Sequence, residues 1–159
     1  MEIGNTRGVR ILEGHQATVY GVSWHPTKRI LASSSGDSSA KLWQIGDAEK
    51  ATTEMQGAYK QAFQVSGEKR SSLLRNLPHI NAGAKSTQID VTSLHWNSKK
   101  NMLVTGASDG IARVWDENGN VQSQLKAGEG IVFAAKWNPS GTRILTVGCD
   151  KGKLSVLPS

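Results

Sequence analysis

One spacing constrains this chain more than any other feature. Trp24, Asp37 and Trp43 stand 13 and then 6 residues apart, and Trp96, Asp109 and Trp115 repeat both intervals. Trp137 and Asp150 repeat the first interval, with Val156 in the place of a third closing tryptophan. A hydroxyl residue precedes each aspartate by four: Ser33, Thr105 and Thr146. Self-similarity at a fixed period marks stacked copies of one supersecondary unit, so it takes precedence over local propensity.

Each unit reads as short strands broken by turns. In the first, Val19–Trp24, Ile30–Ser34 and Ala40–Ile45 are predicted strands, with turns at His25-Pro26-Thr27-Lys28 and Ser35-Gly36-Asp37-Ser38. The second repeats this at Val91–Trp96, Met102–Gly106 and Ala112–Trp115, and the third at Val132–Trp137, Arg143–Val147 and Lys153–Leu157. β-branched and aromatic residues fill the strands, and Gly, Pro, Asn and Asp fill the turns. Lys41-Leu42-Trp43 and Arg113-Val114-Trp115 are read as alternating polar and large apolar side chains, the period of a half-buried strand. Ser72–Leu77 and Val121–Leu125 are predicted fourth strands of units one and two.

The spacing, with Gly14-His15 ahead of the first unit, resembles the WD40 repeat. That resemblance implies an all-β fold: a WD40 β-propeller of four-stranded blades, here about three, partial and open. Trp115-Asp116 keeps the family's closing pair, whereas Trp43-Gln44 does not. The resemblance also implies a buried polar tetrad at His15, Ser33, Asp37 and Trp43. Indole, hydroxyl and imidazole can form a chain ending on the carboxylate, so the cluster is satisfied inside a packed blade. In the second unit Thr105, Asp109 and Trp115 are present, but Thr87 aligns with the histidine. In the third, Thr146 and Asp150 remain, while Gly128 and Val156 replace His and Trp. Only the first blade is therefore expected to complete the tetrad.

The chain divides into a polar tail over 1–8 and a partial propeller over 9–157. Blade one spans 16–77 with a long insertion at about 46–71, followed by a loop over 78–89. Blade two spans 90–125, and an incomplete blade three spans 130–157. Val9–Leu12 is a candidate outer strand, and Ala58–Val65 a candidate helical turn in the insertion. A closed propeller needs about four to eight blades. The chain is thus expected to be a fragment of a longer protein; standing alone it would have to pair its open edges.

Net charge is +6, and residues 1–45, 46–89 and 90–159 each contribute +2. A nucleic-acid binder concentrates such charge on one surface; this diffuse pattern predicts no direct nucleic-acid contact and suits solvated turns. The single Cys149 excludes an internal disulfide framework. No stretch has the length of a membrane-spanning helix, so no membrane role is expected.

Catalysis is not expected either. The four histidines lack metal-ligand spacing, so no metal is expected, and no cofactor motif is present. Gly148–Leu154 lacks the length and the Ser or Thr of a phosphate loop. The repeated aspartates occupy equivalent turns of successive units and cannot converge on one substrate as a catalytic pair must.

Three stretches narrow the resemblance: Leu31–Trp43, Asp90–Ser98 and Ile131–Asn138. With the insertion between units one and two, they are similar to the start of the propeller in transducin-beta-like 1, or F-box-like WD-repeat, proteins. This resemblance implies a non-enzymatic scaffold of a nuclear histone deacetylase corepressor complex in transcription regulation, with cytoplasm as a second location. Its implied partners are corepressor, histone deacetylase and histone tails. The alternatives are a substrate-recruiting adaptor of a ubiquitin ligase, a general WD40 adaptor, or a truncated product without function. In a propeller, the loops flanking the first strands and the turns before each aspartate share one face. They place Thr18, Tyr20, Gly36, Asp90, Thr92, Ser108, Ile131 and Phe133 there as the candidate partner-binding surface.

Overall fold

A computed structural model of the chain describes residues 11–46, 71–80, 88–148 and 154–158. The described residues form eleven strands in three antiparallel sheets. The first sheet holds β1 (Val19–Trp24), β2 (Ile30–Ser35), β3 (Ser39–Ile45) and β4 (Ser71–Pro78) in chain order. The second holds β5 (Val91–Trp96), β6 (Met102–Ala107), β7 (Ile111–Asp116) and β8 (Val121–Lys126). The third holds β9 (Val132–Trp137), β10 (Arg143–Gly148) and β11 (Leu154–Pro158). Each expected strand of the three blades is present, most extended by a residue at an end. Ile11 and Leu12 form no strand; the rest of that candidate, Ala58–Val65 and Asp150 lie outside the described residues.

The repeat spacing becomes a register. Leu31 pairs with Trp24 and with Trp43; Leu103 pairs with Trp96 and with Trp115. A bulge interrupts the top of β1 between Val19 and Gly21, and another recurs in β5 between Val91 and Ser93. The extra residue re-aims the side chains at the start of these strands.

Strands β3 and β7, expected to be half-buried, are buried on both faces along most of their length, whereas β10 of the end blade alternates buried and exposed residues. One apolar cluster fills the seam between blades one and two: Ile30, Ala32, Leu42, Leu77, Leu94, Trp96, Leu103 and Trp115 belong to it. A second fills the seam between blades two and three, around Val104, Val114, Val132, Ala135, Trp137 and Ile144. Adjacent residues split between them: Leu103 and Trp115 point to one seam, Val104 and Val114 to the other. The outer faces at the two ends have no neighbouring blade among the described residues. There Trp24 is 58% exposed, whereas its equivalents Trp96 and Trp137 are 3% and 5% exposed.

The first strands β1, β5 and β9 lie side by side without forming a common sheet. Side chains bridge them instead. Ser93 Oγ accepts from Ala135 N–H at 3.1 Å, and His95 Nδ1 accepts from Trp137 N–H at 3.1 Å. Ser23 Oγ stands 3.5 Å from Trp96 N in the corresponding place. The residue before each strand-ending tryptophan thus reaches the backbone of the next tryptophan. Backbone N–H groups that a continuous sheet would satisfy are met by these acceptors.

Candidate functional site

The residue after each of those tryptophans caps the turn that follows. His25 Nδ1 accepts from Thr27 and Lys28 N–H at 3.2 and 3.0 Å. Asn97 Oδ1 accepts from Lys99 and Lys100 N–H at 2.9 and 3.0 Å. Asn138 Oδ1 accepts from Thr142 and Arg143 N–H at 2.8 and 3.0 Å. These local side-chain bonds replace the ladder where the chain reverses. Two of the three also reach the next blade: Asn97 Nδ2 donates to Gly141 O at 2.9 Å, and the His25 ring meets Trp96 edge-on at 4.6 Å. Burial, followed by the Lys28 charge, lowers the His25 pKa and keeps the ring a neutral acceptor. The repeated side-chain acceptor at this position is a sequence signal that the strand reading passed over.

In blade one the four tetrad residues meet. Trp43 Nε1–H donates to Ser33 Oγ at 2.8 Å, Ser33 Oγ lies 2.7 Å from His15 Nε2, and His15 Nδ1 lies 2.8 Å from Asp37 Oδ2. The directions are fixed by elimination. The carboxylate can only accept, so Nδ1–H donates to it; in that tautomer Nε2 accepts from the Ser33 hydroxyl, whose oxygen accepts from the indole N–H. Asp37 also accepts from Gln16 N–H at 3.0 Å and from Ser39 Oγ at 2.6 Å. Burial opposes its ionisation, but the Ser39, Gln16 and His15 hydrogen bonds prevail and hold the carboxyl far below the usual carboxylate range.

Blade two corrects the sequence reading. Thr87 is outside the described residues, and His79, placed above in the loop over 78–89, is 2% exposed. His79 Nε2 lies 2.8 Å from Thr105 Oγ1, which accepts from Trp115 Nε1–H at 2.9 Å. The histidine therefore occupies the position that His15 occupies in blade one. His79 stands 26 residues before Thr105, against 18 between His15 and Ser33, so a fixed-interval search misses it. The cue is local: His79 directly follows the fourth strand, which ends at Pro78, and so stands ahead of blade two as His15 stands ahead of blade one.

The carboxylate end is rewired. Asp109 does not bond His79; it takes Arg113 in a two-pronged pair at 3.2 and 2.6 Å. His79 Nδ1 instead donates to Leu77 O at 3.1 Å. Arg113 is 2% exposed and excludes a second cation beside it. Burial, then the Arg113 charge, drives the His79 pKa down to about 4, so the ring is neutral. In blade three Thr146 is buried, and its hydroxyl stands 3.4 Å from Ser155 O, while Val156 is exposed.

The polar members of these networks bond one another and nearby backbone. No group of three or more potential metal ligands occurs among the described residues. No helix among them is long and apolar enough to cross a membrane.

The candidate binding residues occupy matching places in the repeat. Thr18, Asp90 and Ile131 stand six residues before their tryptophans; Tyr20, Thr92 and Phe133 stand four before; Gly36 and Ser108 stand twelve after. All border the end of the blades where the second and third strands turn. Gly36 N–H bonds Thr18 O at 3.0 Å, and Ser108 N–H bonds Asp90 O at 2.8 Å. Thr92 Oγ1 bonds Gly106 O at 3.0 Å and reaches Val132 O of the next blade. Tyr20 and Phe133 are half-exposed, but in different settings. Tyr20 leans into the closed seam between blades one and two, against Gly36 and Asp90. Phe133 stands on the last first strand, beside the unpartnered face.

The family model for the WD domain, G-beta repeat, matches residues 7–44 and 77–116. Its second stretch begins two residues before His79. The F-box-like/WD repeat-containing protein TBL1X of Mus musculus is 36% identical over 141 residues, 89% of this chain and 24% of that protein. The WD40 repeat-containing protein HOS15 of Arabidopsis thaliana is 36% identical over 126 residues, 79% of this chain and 18% of that protein. The SIR4-interacting protein SIF2 of Saccharomyces cerevisiae is 28% identical over 126 residues, 79% of this chain and 22% of that protein. The chain spans about a quarter or less of the length of these relatives. The chain carries WD40 repeats, and over most of its length it resembles the transducin-beta-like 1, F-box-like/WD repeat-containing proteins.

Proposed function

We propose that this chain is part of a non-catalytic scaffold in a nuclear histone deacetylase corepressor complex. A segment of a partner protein binds across the face bearing Thr18, Tyr20, Gly36, Asp90, Thr92, Ser108, Ile131 and Phe133. The observation that carries this reading is the recurrence of those positions. Three blades present equivalent residues on one rim, and networks beneath them fix the turns through backbone bonds such as Asp37 to Gln16. Loops on such a rigid frame supply binding without chemistry. The complex itself is inferred from the likeness to transducin-beta-like 1 proteins.

Affinity purification of the full-length protein from nuclear extract, with mass spectrometry of the retained proteins, tests it. Deacetylase and corepressor subunits are expected, and their recovery should fall for a Tyr20→Ala, Thr92→Ala double variant. Cullin-type components without a deacetylase would overturn the corepressor reading in favour of a ubiquitin-ligase adaptor.

A further inference from the structure

We propose that Tyr20 and Asp90 form a cation-accepting notch over Gly36, which takes a lysine or arginine side chain of the bound partner segment. This deepens the protein-binding reading above and rests on it.

The first observation is an unspent carboxylate. Asp37 is engaged by His15, Asp109 by Arg113, and Asp116 by Asn120 and Gln122. Asp90 has a fixed backbone, with its N–H on Ser108 Oγ at 2.9 Å and its carbonyl accepting from Ser108 N–H at 2.8 Å. Its carboxylate, although half-buried, makes no hydrogen bond or ion pair with any described group. A negative charge partly withdrawn from water attracts a cation more strongly than one in open solvent.

The second is the ring beside it. Tyr20 is half-exposed on β1, across the seam from Asp90. A methyl group added at Gly36 would lie 3.1 Å from Asp90 Oδ1 and 3.4 Å from both Cε2 and the hydroxyl oxygen of Tyr20. Phenol and carboxylate therefore close on one point, from two different blades. A phenol oxygen and a carboxylate that converge on one point bind an ammonium or guanidinium group by charge pairing and charge-assisted hydrogen bonds.

The third is the floor. Gly36 is buried, and its carbonyl accepts from Gln88 Nε2. Its φ lies outside the left-handed region, so backbone conformation does not call for glycine here. The close approach of Tyr20 and Asp90 does, because any side chain would enter the space they share.

The test uses the full-length protein, immobilised, and a random octapeptide library as probe, with the retained peptides sequenced. Wild type should enrich lysine or arginine at one position, and the enrichment should weaken as salt rises. Asp90→Asn should lower the affinity of enriched peptides about tenfold, a typical loss for a charge pair of this exposure. Asp90→Lys should turn the preference at that position to glutamate or aspartate, an outcome that loss of folding cannot produce. Peptides retained without a cationic preference, or a preference unchanged in Asp90→Lys, would overturn the notch and leave binding by this face intact. No retention by wild type at all would overturn both.

Discussion

Thr105→Val isolates the buried network of blade two from everything around it. Valine keeps the branched shape that suits a strand, so neither cavity nor register change enters. Only the hydroxyl is lost, and with it the acceptor of Trp115 Nε1–H at 2.9 Å and the donor to His79 Nε2 at 2.8 Å. Water cannot replace it easily: Thr105 is 0% exposed, and His79 and Trp115 are each 2% exposed. Each stranded polar atom costs ~1–3 kcal/mol, so the variant should lose about 2–4 kcal/mol. Urea denaturation of the full-length protein, followed by circular dichroism, measures this. Amide exchange of the Trp115 indole N–H should accelerate in parallel. Combining Thr105→Val with His79→Leu should cost less than the two single losses added, by about 1–2 kcal/mol, because both remove one bond. A loss below about 0.5 kcal/mol for Thr105→Val, or strict additivity in the double variant, would refute the reading of His79 as a member of this network.

Acid should find the same residue. An imidazole held neutral in the fold at about 4, against an ordinary 6.5, takes up its proton more readily when unfolded. Its contribution is complete above pH 6.5 and falls as pH drops toward 4, by about 3 kcal/mol; His79→Phe should flatten the urea midpoint over that window. His95, lowered by burial and then by Lys136, must also be neutral to accept from Trp137 N–H, and His95→Gln should retain the seam with less acid sensitivity. Asn97→Ala removes two turn bonds and the bond to Gly141 from a fully buried site, for a loss of about 2–4 kcal/mol by thermal denaturation. Gly141→Ala should be at least as damaging, since φ is +69° and the new Cβ would lie 2.3 Å from Asn97 Oδ1.

The strands were legible in the sequence because their signals are local. β-branched and aromatic residues within the strands, and turn residues at fixed offsets, do not depend on what lies across a seam. The tetrad of blade one was legible for a related reason: its members keep the family interval, and their donors and acceptors match in only one order. His79 was not legible by interval, because eight more residues separate it from Thr105 than separate His15 from Ser33. Loop length costs a fold little, so it can vary without disturbing the contact it carries.

By itself, then, the sequence determined the unit: three copies of a strand-and-turn motif, their register, and the rim positions that recur with them. What the tertiary structure decided is which partner each buried polar group takes. Arg113 lies on the same strand face as Trp115, so Asp109 binds the guanidinium and His79 turns to Leu77 O. Ser93 and His95 serve the next blade, Asn97 holds Gly141, and Asp90 alone among the described aspartates keeps its carboxylate uncommitted. The partner that a polar group in a closed seam takes is the one packing brings within hydrogen-bond reach, and packing is a property of neighbouring blades rather than of any single repeat.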